Sequence, residues 1–300
     1  MKFKRIILLS FLTVLILSLV SCQKQKPTIE QLYPYKEIAE PVAMPVLMYH
    51  NFTDIESEAS DITVYKENFK EQIEALKNAG YTAITPMHLD LFLNKKSSLP
   101  EKPIIITMDD GYLSNLEIAA PILQQNDMNA TIFVIGDWVG KEINPYTNEP
   151  FIPQKFSYKQ AKKWIKKDVI TLQSHSFDMH RHKSQGDGIR NGVLQKEKES
   201  EQEYIAALES DINLAINGLL ENVSTPSVSV AFPYGYHSEN ACKAWAKAGV
   251  KIQFTTQYGC TFIKPEDNFE YQLFRRWSIG NDTTGKELIE GLEKLKNPEQ

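Results

Sequence analysis

Pro103-Ile104-Ile105-Ile106-Thr107-Met108-Asp109-Asp110-Gly111 is a short apolar run that opens on a proline and ends in two adjacent carboxylates and a glycine. Its length and β-branched content read as a buried strand, and the glycine marks the turn that ends it. Neighbouring side chains on a strand point to opposite faces, so two successive acids diverge unless the backbone turns between them. Gly111 tolerates a positive φ, which lets the chain turn sharply and bring both carboxylates toward one point. Two acids at the C-terminal end of a buried strand suit a division of labour between metal ligand and general base. The competing reading is an Asp-Gly turn in which Asp110 caps the next helix. This stretch alone leaves both open.

Working outward, strand-like runs recur at Val46–Tyr49, Tyr81–Thr85, Thr131–Ile135, Val169–Gln173, Val228–Phe232 and Lys251–Thr255. Helical patterns lie between many of them. Phe69, Ile73 and Leu76 share one face, and Gly80 stops that helix. Ser157 with Gln160 forms a capping box ahead of Trp164 and Ile165. Tyr204, Leu208, Ile212 and Ile216 make an apolar stripe with acids on the opposite side, and Ser238 caps a helix that ends at Gly249. Strands alternating with helices imply parallel pairing. About seven such units in residues 45–300 predict an α/β fold, a single-domain distorted (β/α) barrel, with a doubly wound open sheet as the competitor. In either architecture catalytic groups belong at the C-terminal ends of the strands. Residues 137–156 and 182–200 are too long for simple connections and read as loops overhanging the site.

The other strand ends carry matching chemistry. After Val169–Gln173 comes Ser174-His175-Ser176-Phe177-Asp178-Met179-His180-Arg181-His182, which holds three of the six histidines. Neutral imidazole is a common divalent-metal ligand, and a solvated His-rich loop is the bland alternative. Ala231-Phe232-Pro233-Tyr234-Gly235-Tyr236 offers aromatics around a Pro-Gly turn, suited to a wall for a sugar ring and to a backbone N–H aimed at an oxyanion. His50 ends the first strand, in the same layer, as a candidate functional acid.

Residues 1–21 read as a secretory leader, with Lys2, Lys4 and Arg5 ahead of the apolar run Ile6 to Val20, which is short for a spanning helix. Leu19-Val20-Ser21-Cys22 resembles a bacterial lipobox, which makes Cys22 a lipidated first residue and the membrane a partner. Residues 22–44, rich in proline, read as an extended tether. The body is then expected outside the cytoplasm, lipid-anchored to the bacterial cell membrane. The net charge is −5 and grows more acidic once the leader is removed, which argues against nucleic acid as partner. Cys242 and Cys260 suit burial or an optional disulfide, too few for a metal framework.

Taken together, these residues resemble the polysaccharide deacetylases of the NodB-homology type, carbohydrate esterase family 4. The first motif of that family, T-F-D-D-G, stands here as Thr107-Met108-Asp109-Asp110-Gly111. The second, usually H-[ST]-x-x-H, reads His175-Ser176-Phe177-Asp178-Met179-His180, one residue wider. That spacing, with Pro45-Val46-Leu47-Met48-Tyr49-His50, is similar to the branch that deacetylates poly-N-acetylglucosamine. The resemblance implies Asp109 as general base and Asp110, His175 and His180 as ligands of a divalent metal, zinc first, with cobalt or nickel as alternatives. His182 competes with His180 on position. By the same resemblance Tyr234 and Pro233 belong to the substrate and oxyanion side. Two departures stand out. No Arg precedes Pro233-Tyr234-Gly235, so Arg275 or Arg276 is expected to orient Asp109, and no His follows His237, so His50 is expected to protonate the leaving amine.

The function this implies is metal-dependent hydrolysis of N-acetyl groups on an extracytoplasmic polysaccharide, either poly-N-acetylglucosamine or a peptidoglycan-type glycan. The alternative is a glycan-binding lipoprotein of the same fold with impaired catalysis. A solute-binding lipoprotein shares the lipobox, but it needs no charged cluster at the strand ends.

Overall fold

The computed structural model describes residues 26–296 except 187 and 267; the leader and Cys22 lie outside the described residues. The chain runs through α1 (Ile29–Leu32), β1 (Val42–Met44), β2 (Val46–Tyr49), β3 (Asn51–Thr53), β4 (Thr63–Tyr65) and α2 (Lys66–Asn78). It continues with β5 (Thr82–Ala83), α3 (Pro86–Leu93), β6 (Pro103–Asp109), α4 (Ala120–Gln125), β7 (Ala130–Val134), α5 (Tyr158–Ile165) and β8 (Ile170–Ser174). Then come α6 (Glu201–Val223), β9 (Ser229–Ala231), α7 (Glu239–Lys247), β10 (Ile252–Phe254), β11 (Thr261–Ile263), β12 (Gln272–Phe274), β13 (Trp277–Ser278) and α8 (Gly285–Lys296).

The main sheet has the order β12-β10-β9-β8-β7-β6-β2-β13, with β5 joined to the start of β6, and every pairing in it is parallel. Two strands beyond the expected seven, β12 and β13, form its edges. Two arginines separate them in sequence. One extended segment therefore pairs first with β10 and then with β2, and so crosses the seam of a curled sheet. This is the distorted parallel barrel, not the open doubly wound sheet.

Strand β6 shows why the interior and exterior differ. Ile104, Ile106 and Met108 join the core under the helices, whereas Ile105 packs with Val46, Phe133 and Phe254 in a separate cluster. Alternation then places Thr107 and Asp109 on the same side as Ile105. Met108, which stands where the family has Phe, fills a fully buried position.

The helix signals operate as the sequence implies. Phe69, Ile73 and Leu76 are buried on α2, Ser157 and Gln160 form a reciprocal capping box on α5, and Ser238 caps α7. Gly80 and Gly249 take positive φ where their helices stop. The stripe on α6 differs in one respect: Asp211 lies on its buried side, among Tyr204, Leu208, Ile212 and Ala215.

The described part of 22–44 differs from an extended tether. Lys26 pairs with Asp168 just ahead of β8, Pro34 bridges Ser97, and the Lys36 N–H donates to Ser98 Oγ at 2.9 Å. The Tyr33 ring lies 5.1 Å from the His88 ring, and β1 pairs antiparallel with β11. Prolines remove donors from this segment, but Ser98 holds it: the Ser98 N–H donates to the Tyr33 carbonyl at 2.8 Å and its hydroxyl to the Pro34 carbonyl at 2.9 Å. It becomes a strap across the N-terminal ends of the strands, opposite Asp109. Cys242 and Cys260 are free thiols.

Candidate active site and metal centre

Asp109 ends β6 facing inward, 2% exposed, against the fully buried Arg276. Arg276 Nη1 donates to Asp109 Oδ1 and Nη2 to Oδ2, both at 2.8 Å, while Nε is fixed by the Thr255 carbonyl and Nη1 also reaches Thr107 Oγ1. A planar fork in such a pair orients a carboxylate in two directions at once. Of the two candidate arginines, the structure selects Arg276; Arg275 is exposed beside Gly259. Burial disfavours the Asp109 charge, but Arg276, His175 and His50 together hold its pKa below the ordinary carboxylate range.

The next residue turns the chain. Asp110 itself has φ 70°, and Gly111 follows at φ 69°. Two left-handed residues in succession swing the Asp110 side chain toward the end of β8 instead of the helix layer. The Tyr112 hydroxyl donates to Asp110 Oδ2 at 3.1 Å. Asp110 therefore serves the site and not as a helix cap.

His175 follows β8 directly, and its Nδ1–H donates to the Ala231 carbonyl at 2.7 Å. A carbonyl only accepts, so the proton sits on Nδ1 and the Nε2 lone pair faces the site. Burial lowers the His175 pKa to about 4, which keeps the ring neutral at physiological pH. His180 Nε2 lies 3.2 Å from Asp110 Oδ1, and His175 Nε2 lies 3.5 Å from the same oxygen. The His180 ring is set between Trp138, centroid 5.3 Å away, and Tyr234, at 4.6 Å. Aromatic packing thus fixes a ring whose Nδ1 has no hydrogen-bond partner.

These three residues fit a divalent cation. Their ligand atoms lie within 4.8 Å of one another. Asp110 Oδ1 is buried without a hydrogen bond, although a neutral imidazole lone pair faces it. Two acceptors turned toward each other are mutually repulsive until a cation stands between them, and one carboxylate with two imidazoles is a ligand set of zinc type.

The remaining expected residues take separate places. His182 accepts from the Ser184 N–H through Nδ1 and caps a short turn, outside the metal-binding trio. Tyr234 has φ 58°, is 39% exposed, and packs near the rings of His182 and Tyr236; Pro233 beneath it is buried. His50, at the end of β2, is near enough to Asp109 to favour its charge, and its carbonyl accepts from Asn115 Nδ2 at 2.7 Å. The 137–156 loop overhangs the site as expected and brings in Trp138, Phe151 and Lys155.

Lys155 is absent from the residues the sequence points to. Its Nζ lies 3.4 Å from the centre of the Tyr112 ring and 5.2 Å from that of Trp138, and burial lowers its pKa to about 8 while Asp110 opposes the shift. A lysine in a polar loop gives no sequence signal for this; the antiparallel bridge between Tyr112 and Lys155 creates the contact.

Comparison with known proteins matches residues 96–253, more than half of the chain, to the polysaccharide deacetylase family. YxkH of Bacillus subtilis (strain 168), whose name places it in the same family, is 27% identical over 295 residues, covering 91% of this chain and 92% of that one. The poly-beta-1,6-N-acetyl-D-glucosamine N-deacetylase of Staphylococcus aureus (strain MRSA252) is 27% identical over 237 residues, 75% of this chain and 76% of that one. A solved de-N-acetylase from Aggregatibacter actinomycetemcomitans superposes with a TM-score of 0.70 at 19% identity, covering 83% of this chain and 99% of that one, a likeness of fold. The first-motif acids, the histidines at the end of β8 and the parallel barrel agree with the match, and the chain belongs to the polysaccharide deacetylase family.

Proposed function

We propose that this deacetylase removes N-acetyl groups from an extracytoplasmic glycan built on N-acetylglucosamine, with Asp109 as general base and Asp110, His175 and His180 as the ligands of a zinc ion. The observation that carries this reading is the convergence of Asp109, Asp110, His175 and His180, with Arg276 fixing the first of them. A divalent cation bound there supplies the positive charge that acidifies a water and polarises the acetyl carbonyl.

The chain's own residues supply the rest. Asp109 stays ionised because Arg276 neutralises it, so it is ready to take a proton from the attacking water. Water oxygen bonds to the carbonyl carbon, the C–N bond breaks, and the amine leaves with a proton from His50. Acetate and a free amine are the products. Tyr234 and Pro233 border the acetyl group on the side of β9, with the Tyr234 N–H as oxyanion donor. Exposed Tyr234, with Tyr236 and Trp138, offers the flat apolar faces on which sugar rings stack.

Support for poly-N-acetylglucosamine as substrate comes from the Staphylococcus aureus relative, which bears that activity in its name. Support for a lipid-anchored, extracytoplasmic location comes from the leader and Cys22. The non-catalytic alternative rested on the missing third-motif Arg and the missing late His; the pairing of Arg276 with Asp109 argues against the first, and the place of His50 near Asp109 against the second. The test is acetate release from poly-N-acetylglucosamine, peptidoglycan, chitin oligomers and acetylated xylan, with zinc, cobalt or nickel added to chelator-treated protein. Metal-dependent release from the first substrate is expected. Release from none of them, by metal-loaded protein, overturns the reading.

A further inference from the structure

The turn between the two ligand histidines has no regular secondary structure, yet each of its backbone N–H groups from Ser176 to Met179 is taken by a side-chain oxygen. Ser176 N–H donates to Ser174 Oγ and Met179 N–H to Ser176 Oγ, both at 3.1 Å. Between them, Phe177 N–H donates to Asp211 Oδ2 at 2.9 Å and Asp178 N–H to Asp211 Oδ1 at 2.7 Å. Ser176 belongs to the motif itself, and Ser174 ends β8 just before it. Asp211 reaches in from α6, and it is 6% exposed.

An acid there is costly. It interrupts the buried stripe of Tyr204, Leu208, Ile212 and Ala215, and packing alone would favour an apolar residue. Two backbone donors, one for each carboxylate oxygen, offset the cost only if that turn has to be held in place. The spacing explains the need. On an α-helix, residues four apart share a face, whereas residues five apart do not. His175 and His180 are five apart, so the chain between them takes an irregular path, with Ser176 at φ 69°. On its other side the turn is joined to the loop that bears Trp138, because the Ser176 and Phe177 carbonyls accept from the N–H groups of Gly136 and Asp137 at 3.0 and 2.9 Å. The turn is thus gripped from both sides, and Asp211 is the charged, distant member of the grip.

We propose that Asp211 is a positioning residue of the metal centre: its carboxylate fixes the two N–H groups midway between His175 and His180, and so sets His180 against Asp110. This rests on the reading of Asp110, His175 and His180 as metal ligands. It adds a requirement that the wider histidine spacing creates, one that no motif residue meets.

The test compares Asp211→Asn and Asp211→Ala with the parent protein. Zinc affinity is measured by chelator competition, ligand geometry by the visible spectrum of the cobalt form, and folding by circular dichroism and thermal melting. Asn preserves volume and one acceptor, so the folded Asn variant is expected to bind zinc about 10- to 100-fold more weakly, the range for loss of a group that supports a ligand. The cobalt spectrum is expected to change with it. Folded Asp211→Asn protein that binds zinc within two-fold of the parent overturns the proposal, as does a variant with a lower melting temperature and unchanged affinity. If Ala fails to fold, Asn decides. A parent protein that binds no zinc overturns the metal-centre reading and this inference together, whereas a zinc-binding parent matched by Asn overturns only the role of Asp211.

Discussion

Asp109 and Asp211 are both buried carboxylates near one metal centre, and their surroundings push them in opposite directions. Inside the barrel, Asp109 meets a full positive charge from Arg276, and its pKa falls below the ordinary range. Beneath the β8 turn, Asp211 meets two backbone N–H groups; burial, with the repulsion of Asp178, pushes its carboxyl up to about 6 against those bonds and the attraction of Arg190. Charge pairing yields a group that is always ionised, as a base requires. Dipole pairing yields a group that holds a backbone in place at a cost in stability.

The comparison breaks most severely at the base. Asp109→Asn preserves shape and leaves the metal ligands intact, so acetate release is expected to fall about 10²- to 10⁴-fold while zinc affinity is retained. Full activity in that variant removes Asp109 from the role. Next in size is Arg276→Met, which strands a buried carboxylate. Urea melts are expected to show a loss of about 3–5 kcal/mol at neutral pH, with activity lost as the Asp109 pKa rises. An unchanged melt would mean that the seam arginine is dispensable.

The other carboxylate is sharpened by pH. Asp211 has a raised folded-state pKa, so the stabilising preference for its protonated form is fully present below about 4 and is lost as pH rises through about 6. Metal-free parent protein is therefore expected to lose about 3 kcal/mol relative to Asp211→Asn between pH 4 and pH 7, a two-unit shift expressed as free energy. Paired denaturant melts across that window give the answer, and parallel curves would refute it. The smallest effect belongs to His182→Ala, which should leave zinc affinity within two-fold, since that ring caps a turn outside the centre. A large loss would move His182 into the ligand set.

Much of this site was legible because each strand contributes its chemistry locally. Asp109 and Asp110 close a run that could only be a buried strand, and His175 closes another. Parallel order then brings them together without further information. The choice between Arg275 and Arg276 was not legible, because it depends on which edge the three residues of β12 pair with and where the segment crosses to β2. Those short strands have no periodicity of their own. Lys155 was hidden for a related reason, since its contact with Tyr112 is made by loop pairing. Asp211 did leave a trace: an acid seven residues after Tyr204 and three after Leu208 falls on the apolar side of α6, where the stripe should have continued.

The N-terminal strap sets a limit on reach. Three residues separate Cys22 from Lys26, and four peptide steps extend to about 14 Å at most. β6 alone, with seven residues, puts about 20 Å between the strap end of the barrel and its catalytic end, before the overhanging loops are added. With the proposed lipid on Cys22, the docked strap acts as a short leash fastened to the wrong end for grazing on the bilayer. The catalytic mouth then opens outward, toward polymer strands at a standoff from the membrane and away from glycans still held at its surface.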